Sequence, residues 1–174
     1  MLRVVIPFRM TFIDYLDVHS HALLIFIMGC DNQCEGCQNP EFSSYDYRDN
    51  TKKFTVKELQ TKIKKECVRH KTNKVVLSGG DPLAYGNWES TKELLDLNKE
   101  DIHYMLYTGH SVEYVKRLGI KGFTFIKCGK YDLHFKQASE KTDSYFKLAS
   151  RNQGFYDESF KLLSVNGTYY FERD

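Results

Sequence analysis

The sequence lacks the features that would point to a membrane protein or a nucleic-acid-binding protein. No uninterrupted apolar run approaches the about 18 residues that a membrane-spanning helix needs. The 25 basic and 23 acidic residues leave a net charge of +2, which indicates neither kind of partner. Only three prolines interrupt the 174 residues, and we find no internal repeat, low-complexity tract or linker. With 41% hydrophobic residues, the chain is predicted to form one globular domain over residues 1–174.

The chain also lacks a signal-peptide pattern, so its five cysteines are expected to stay reduced, as in the cytoplasm. Three of them, Cys30, Cys34 and Cys37, fall within eight residues in the spacing C-x3-C-x2-C. This cysteine loop follows the apolar run Leu23–Met28, and it is too short and polar to bury three thiols in a core. Such crowding also argues against simple disulfide pairing, so the three thiols are candidates for metal binding.

Two kinds of metal centre fit the cysteine loop. Iron–sulfur clusters are held by closely spaced cysteine thiolates. Three cysteines would leave one iron of a four-iron cluster without a thiolate, and that iron would be open to a substrate or cofactor. The rival is a structural zinc site, for which His19 or His21 would supply a fourth ligand. The spacing favours iron–sulfur chemistry but leaves both alternatives open.

The order of apolar runs and helix signals predicts an α/β fold. Continuous apolar runs without helical periodicity indicate strands that are buried on both faces. Thr55 and Glu58 form a capping-box pattern ahead of a periodic apolar face, which assigns Cys67 to packing. Strands that alternate with helices indicate right-handed βαβ units and a parallel sheet. The predicted strands are Arg3–Ile6, Leu23–Met28, Lys74–Ser78, Ile102–Tyr107 and Phe123–Lys127, and the predicted helices begin after Thr55, at about Trp88 and after Ser111, the last two ending at Leu97 and Leu118.

Two further segments are predicted to be mostly irregular. Residues 38–54 read as a long polar loop whose aromatic side chains fill the nearest core. Residues 132–151 read as a loop with a broken helix. After them, residues 160–165 and 168–171 flank an Asn-Gly pair, which is the strongest short-range hairpin signal. The C-terminal end is therefore expected to add an antiparallel hairpin.

The residues that carry chemistry follow the parallel strands, which are succeeded by Gly-Cys, Gly-Gly-Asp-Pro, Thr-Gly-His and Cys-Gly-Lys. The C-terminal ends of parallel strands meet at one edge of a sheet, where α/β proteins place their functional residues. Gly79 and Gly80 have no Cβ, so the backbone can approach a ligand closely before Asp81 and the rigid Pro82. In isolation this is an ordinary strand-to-helix turn, but beside a three-cysteine loop it predicts a ligand site.

These motifs resemble the radical S-adenosylmethionine superfamily. The cysteine loop, followed one strand later by Gly-Gly-Asp-Pro at 79–82, carries the resemblance. Within the superfamily, the chain is similar to the glycyl-radical activases of anaerobic ribonucleoside-triphosphate reductases over roughly residues 10–157. The order and spacing of several short motifs carry that closer similarity: Gly36-Cys37-Gln38-Asn39, Leu77–Leu83, Tyr107-Thr108-Gly109, Gly129-Lys130-Tyr131 and Ser150-Arg151-Asn152-Gln153.

The resemblance implies an open, partial (β/α) barrel with one 4Fe-4S cluster. The iron without a thiolate would chelate the amino and carboxylate groups of S-adenosylmethionine. One electron from an external, flavodoxin-like donor protein would cleave the sulfonium S–C bond. The resulting 5′-deoxyadenosyl radical would take a hydrogen from a glycine in the large subunit of the reductase. The residues implied are Cys30, Cys34 and Cys37 for the cluster, Gly36, Cys37 and Gln38 beside the adenine, and Gly79, Gly80, Asp81 and Pro82 around the methionine end.

The sequence departs from these relatives at two places and lacks an identifiable catalytic acid–base pair. Cys128 stands where many relatives have aspartate before the glycine, and we interpret Cys128 as a packing residue. Tyr15-Leu16-Asp17 stands where relatives usually have Gly-Pro-Gly or Tyr-Pro-Gly. His110 is interpreted as a turn residue.

Two alternative functions stay open. The first is a small-molecule radical enzyme of the 7-carboxy-7-deazaguanine synthase type, which needs a carved polar pocket. The second is a zinc-binding interaction module. The brevity of the chain favours an activase, since few residues are expected to remain to cover the sheet, and a protein loop needs an open mouth.

Overall fold

The computed structural model describes residues 1–19, 21–98 and 102–172. Its strands are β1 Leu2–Val5, β2 Arg9–Thr11, β3 Ala22–Ile27, β4 Thr51–Phe54, β5 Lys74–Gly79, β6 His103–Tyr107, β7 Phe125–Cys128, β8 Glu140–Lys141, β9 Tyr145–Lys147, β10 Gly154–Asp157 and β11 Thr168–Tyr170. Its α-helices are α1 Val56–His70, α2 Trp88–Asp96 and α3 Val112–Leu118, and Pro40–Ser43 and Leu133–Phe135 form short 3-10 helices.

A mostly parallel sheet forms the centre of a mixed α/β fold. Strands β3, β5, β6 and β7 lie side by side in parallel, in the order of the sequence. Antiparallel strands extend both edges: β1 and β4 lie beyond β3, and β10 lies beyond β7. The prediction of four parallel strands is therefore confirmed, and the predicted strand at Arg3–Ile6 forms as the antiparallel β1. Continuous apolar runs suit the four parallel strands because such a sheet is buried on both faces.

The helices form where the local signals predicted them. Thr55 accepts a hydrogen bond from the backbone N–H of Glu58, and the Glu58 carboxylate accepts one from the backbone N–H of Thr55. This capping box satisfies two amides of the first turn of α1. Helix α3 begins after the N-cap Ser111 and ends at Leu118, and its C-cap is Gly119, whose φ of 65° suits a residue without a Cβ.

The two faces of the sheet are covered by different parts of the chain. On one face, Ile25 and Leu77 pack with the apolar side of α1, including Leu59. On the other face, Leu24, Val76 and Met105 pack with residues from before β3 and from the C-terminal region. Alternate side chains of each strand thus enter two separate cores, as the period of two requires.

The C-terminal region is more regular than predicted. Residues 132–151 contain β8 and β9, which form a three-stranded sheet with β11. The predicted turn is present, since Thr168 N–H donates to Val165 O at 2.9 Å and Val165 N–H donates to Thr168 O at 2.8 Å. The predicted strand over residues 160–165 is wrong, because only the isolated bridges at Leu162 and Val165 form there. Strand β11 instead pairs with β9, and long-range pairing of this kind leaves little local signal.

This C-terminal sheet covers much of the face of the central sheet that lies opposite the helices, which we call the inner face. Phe146 and Leu148 are buried against Val76 and Met105, and Phe146 contacts Phe155 with ring centroids 4.9 Å apart. The expectation that few residues remain to cover the sheet is therefore wrong. The segment 38–54 also holds a strand, β4, which the loop prediction missed, although Phe42 and Phe54 are buried as expected. No helix in the described ranges is long and apolar enough to cross a bilayer.

Candidate functional site

A cavity of about 230 Å³ lies at the C-terminal edge of the parallel strands. All four parallel strands contribute to its wall, directly or through the residues that follow them. This confirms that the unusual motifs converge on one edge. The lining residues that belong to these motifs are Cys30, Asn32, Cys34, Cys37, Gln38, Asn39, Ser78, Gly79, Gly80, Asp81, Tyr107, Thr108, Gly109, Lys127 and Gly129.

The cysteine loop is anchored by backbone hydrogen bonds at its start. Gly29 N–H donates to Phe42 O at 2.8 Å, and Cys30 N–H donates to Ser43 O at 2.9 Å. Cys30 and Cys34 are half-buried and Cys37 is exposed, and all three face the same cavity. Burial raises the pKa of the Cys30 thiol, which disfavours its ionisation in the free protein.

Asp81 connects three segments of the rim. Its carboxylate accepts hydrogen bonds from Leu83 N–H at 2.8 Å and from Gly109 N–H at 2.8 Å. The Thr108 hydroxyl and the Asn32 side-chain amide also donate to it, both at 3.0 Å. The side chain is buried, and burial raises the pKa of Asp81. With four donors on its two oxygens, this carboxylate holds the rim together, a role that the Gly-Gly-Asp-Pro pattern alone did not indicate.

Asn32 is a site residue that the sequence interpretation missed. Its backbone N–H and its side-chain Nδ2 lie 3.5 Å and 3.6 Å from Cys30 Sγ. The same Nδ2 also donates a hydrogen bond to Asp81 Oδ2. A Cβ added to Gly109 would lie 2.5 Å from Asn32 Nδ2, so the glycine of the Thr-Gly-His turn makes room for this amide. The proximity of asparagine to the first cysteine was the only available signal.

The glycine pair after β5 allows close packing of backbones. A Cβ on Gly79 would lie 2.7 Å from the backbone nitrogen and oxygen of Ile27, and Gly79 has a φ of 109°. A Cβ on Gly80 would lie 2.4 Å from the carbonyl oxygens of Gly29 and Phe42. Both glycines also line the cavity. Their lack of Cβ is thus required by the protein's own backbone, which adds a structural reason to the ligand-approach argument from sequence.

Lys127 places a positive charge in the cavity wall, and the sequence interpretation did not single it out. Its neighbours Ile126 and Cys128 belong to the core under the helices, so Lys127 faces the opposite side of the sheet. Its Nζ donates to the carbonyl oxygens of Thr108 at 3.2 Å and Gly129 at 3.4 Å. Burial lowers the pKa of Lys127. A lysine between two core residues of an apolar strand was the signal that could have identified it.

The remaining candidates lie away from the cysteine loop or in packing positions. Cys67 and Cys128 are buried in the core, and burial raises their pKa values to about 11 and about 12, so both thiols stay protonated at neutral pH. His21 immediately precedes β3, and the cysteine loop follows the other end of that strand. Six strand residues span about 20 Å, so His21 lies far from the cysteine loop. His110 stacks on Tyr114 with ring centroids 4.2 Å apart, and its backbone N–H donates to Thr108 in the predicted turn.

Not every predicted cofactor residue faces the cavity. Cys37, Gln38, Gly79, Gly80 and Asp81 belong to the lining. In contrast, Gly36 packs against Leu133 and Pro82 is buried, with its carbonyl oxygen accepting a hydrogen bond from Thr91 at 2.7 Å. Neither belongs to the cavity wall in the part of the chain that the structure describes. Their assignment to the cofactor stays a prediction.

The donor set fits an iron–sulfur cluster through its chemistry. Three thiols line one cavity, and thiolates are the ligands that such clusters use. Within residues 1–19, 21–98 and 102–172, no three His, Cys, Asp or Glu side chains are grouped so as to hold a metal ion. A four-iron cluster differs from a single metal ion in its geometry. Each cysteine binds its own iron, so the thiols need not converge on one point. Cys30, Cys34 and Cys37 are the residues that would hold it.

Comparisons with known proteins agree with this donor set. A family model described as a 4Fe-4S single cluster domain matches residues 20–154. The anaerobic ribonucleoside-triphosphate reductase-activating protein of Enterobacteria phage T4 is 34% identical over 128 residues, which cover 68% of this chain and 76% of that protein. The matched region includes the cysteine loop, all four parallel strands and the turns that line the cavity. The chain therefore belongs to the 4Fe-4S single cluster domain family, as a relative of the anaerobic ribonucleoside-triphosphate reductase-activating proteins.

Proposed function

We propose that this protein is an iron–sulfur enzyme that cleaves S-adenosylmethionine reductively and generates a glycyl radical on an anaerobic ribonucleoside-triphosphate reductase. The observation that carries the proposal is that the three-cysteine loop and the Gly-Gly-Asp turn line the same cavity. The relationship to the phage T4 activating protein supports the choice of partner. The bound cluster would supply one electron to the sulfonium S–C bond, and the protein would supply binding and orientation.

The residues of the cavity divide this work among them. Cys30, Cys34 and Cys37 would bind the cluster through their thiolates. The backbone near Gly36 and Gln38 would lie by the adenine, and the turn at 79–82 would hold the methionine end. Apolar side chains from the C-terminal region, among them Phe146, would exclude water from the reacting centre. In this proposal the sheet is the open, partial (β/α) barrel of the radical S-adenosylmethionine type, within one domain over residues 1–174.

The proposed setting is the cytoplasm, with a flavodoxin-like protein as the external one-electron donor. A reducing compartment suits five free cysteines, since no disulfide forms among the described residues. The large subunit of the reductase would be the protein substrate and would present its glycine to the cavity.

Anaerobic reconstitution with iron and sulfide tests the proposal. With dithionite and S-adenosylmethionine, the reconstituted protein should release 5′-deoxyadenosine, and a candidate reductase should then show a glycyl radical by electron paramagnetic resonance. Alanine at Cys30, Cys34 or Cys37 should abolish the cleavage, because each thiolate holds one iron. Matched controls are Cys67→Ala and Cys128→Ala, which should keep it. Full cleavage by Cys34→Ala, or a colourless protein with one zinc and no acid-labile sulfide, would contradict the proposal.

One observation favours a second candidate, a small-molecule enzyme of the same superfamily such as the 7-carboxy-7-deazaguanine synthase type. The C-terminal sheet covers part of the inner face, and Phe146 and Leu148 enter the cavity wall. Such cover would suit a small substrate better than a protein loop. The reductase assay separates the two candidates: cleavage of S-adenosylmethionine that is neither coupled to a glycyl radical nor stimulated by the reductase would favour the second.

A further inference from the structure

Two N–H groups of one residue point at the sulfur of the first cysteine. The backbone N–H of Asn32 lies 3.5 Å from Cys30 Sγ, and the side-chain Nδ2 lies 3.6 Å from the same atom. Both distances are within the range for hydrogen bonds to sulfur, which is larger and softer than oxygen. The sulfur of Cys30 therefore has two donors, whereas the hydrogen bonds described for the loop include none to the sulfurs of Cys34 and Cys37.

The side chain of Asn32 is held in this position from two directions. Its Nδ2 also donates to Asp81 Oδ2 at 3.0 Å, and that oxygen is fixed by the Thr108 hydroxyl and by Gly109 N–H. Gly109 has no Cβ, and a Cβ there would lie 2.7 Å from Asn32 Cγ. The amide is thus confined between the rim and the cysteine loop, so its contact with the sulfur does not depend on a freely rotating side chain.

We propose that Asn32 is a positioning residue that raises the reduction potential of the cluster bound at Cys30. The inference rests on the proposed function, because it assumes a cluster on the three cysteines. Reduction adds negative charge to the cluster and its thiolates, and an N–H donated to a thiolate sulfur stabilises that charge. Because Asp81 and Gly109 fix the amide before reduction, no rearrangement is needed when the electron arrives.

The test is a redox titration of the reconstituted protein without S-adenosylmethionine. Electron paramagnetic resonance measures the fraction of reduced cluster at each potential. The measured step is the one-electron reduction of the cluster by dithionite, which forms no bond and releases no group. Asn32→Leu keeps the approximate shape of the side chain and removes the Nδ2 donor, while the backbone N–H donor to Cys30 Sγ stays. We expect its potential to fall by about 59 mV, which corresponds to a tenfold change in a one-electron equilibrium. Iron and sulfide content should match the unchanged protein.

Asn39→Leu is the matched control, since Asn39 lines the same cavity but, within the described residues, donates no hydrogen bond to a cysteine sulfur. Its potential should stay at the value of the unchanged protein. A full cluster with an unaltered potential in Asn32→Leu would overturn the inference, and so would an equal shift in both variants. An unchanged protein that assembles no 4Fe-4S cluster would instead overturn the proposed function.

A second measurement decides the matter if Asn32→Leu does not assemble a cluster. Asn39→Leu protein carrying ¹⁵N in its asparagine side-chain amides, in which Asn32 is the labelled asparagine that lines the cavity, should show a hyperfine coupling between the reduced cluster and an amide nitrogen. The absence of any such coupling would overturn the inference, because the side chain would then not contact the cluster ligand.

Discussion

Two buried charges at the rim of the cavity are balanced in different ways. Asp81 receives four hydrogen bonds, and none of them comes from Lys127. Lys127, with 9% of its surface exposed, donates only to two backbone carbonyl oxygens. Among the described residues, no carboxylate oxygen lies within 4.0 Å of its Nζ. The Tyr107 ring, whose centroid lies 5.7 Å from Nζ, and the more distant Asp81 compensate this buried ammonium only in part, so it favours an anion in the cavity.

Lys127→Met should therefore affect ligand binding more than folding. If S-adenosylmethionine binds in this cavity as proposed, we expect the affinity of the reconstituted protein for it to fall by about tenfold to 100-fold, because the cationic side chain of Lys127 is removed from the wall around an anionic carboxylate. The free energy of unfolding without ligand should be unchanged or higher, since a desolvated charge is removed. Equilibrium binding and urea denaturation measure the two effects.

Lys130→Met is the control for this substitution. Lys130 is the lysine of the Cys-Gly-Lys exit, but it does not belong to the described cavity lining, so its loss should leave the affinity close to that of the unchanged protein. Lower stability of Lys127→Met with undiminished affinity would mean that the lysine only supports the fold.

At the scale of elements, the segments that follow β3 and β5 pack against each other through their backbones. Gly80 N–H donates to Ile27 O at 2.8 Å, and Asp81 N–H donates to Gly29 O at 2.8 Å. The cysteine loop and the Gly-Gly-Asp turn therefore share one hydrogen-bonded junction. Any change in the turn is transmitted to the loop that carries Cys30.

Gly80→Ala should destabilise the fold even without a cluster. The new Cβ would meet the carbonyl oxygens of Gly29 and Phe42 at 2.4 Å, and backbone atoms cannot move aside as a side chain does. We expect a loss of about 1–3 kcal/mol in the free energy of unfolding, measured by urea denaturation of the metal-free protein. Weaker cofactor binding by a Gly80 variant would therefore not by itself identify a direct contact.

Gly154→Ala provides the comparison. Its Cβ would meet the side chains of Leu162 and Tyr156 at 2.9 Å and 3.1 Å, and Leu162 is exposed enough to turn into solvent. The expected loss is smaller than about 1 kcal/mol. Equal losses in the two variants would contradict the distinction between backbone and side-chain crowding.

At the scale of the whole molecule, the C-terminal sheet is predicted to be an integral part of the fold. Phe146 is buried between the two sheets, so Phe146→Ala should lower the free energy of unfolding by about 3–4 kcal/mol in a single transition. Tyr170 lies on the same C-terminal sheet, but 64% of its surface is exposed. Tyr170→Ala should therefore change the free energy of unfolding by less than about 0.5 kcal/mol. Circular dichroism and fluorescence during denaturation measure both. Two separate transitions would contradict a single domain.

Local patterns predicted much of this fold because their causes are local. The capping box at Thr55, the apolar runs of the parallel strands and the Asn-Gly turn each depend on a few adjacent residues. The partner of β11 could not be predicted in this way, since β9 and the segment before the turn compete for it. The pairing that forms depends on how Phe146 packs on the central sheet.

The sequence by itself determined the elements, the cysteine loop and the edge of the sheet at which the loop opens, because a parallel sheet brings the C-terminal ends of its strands together. Only the tertiary structure decided which side chains meet there. Asn32 and Asp81 are separated by 49 residues, and Lys127 reaches the cavity only because β7 adds to the sheet in its observed register. Contacts of this kind depend on strand order and packing, which no short stretch of the chain encodes.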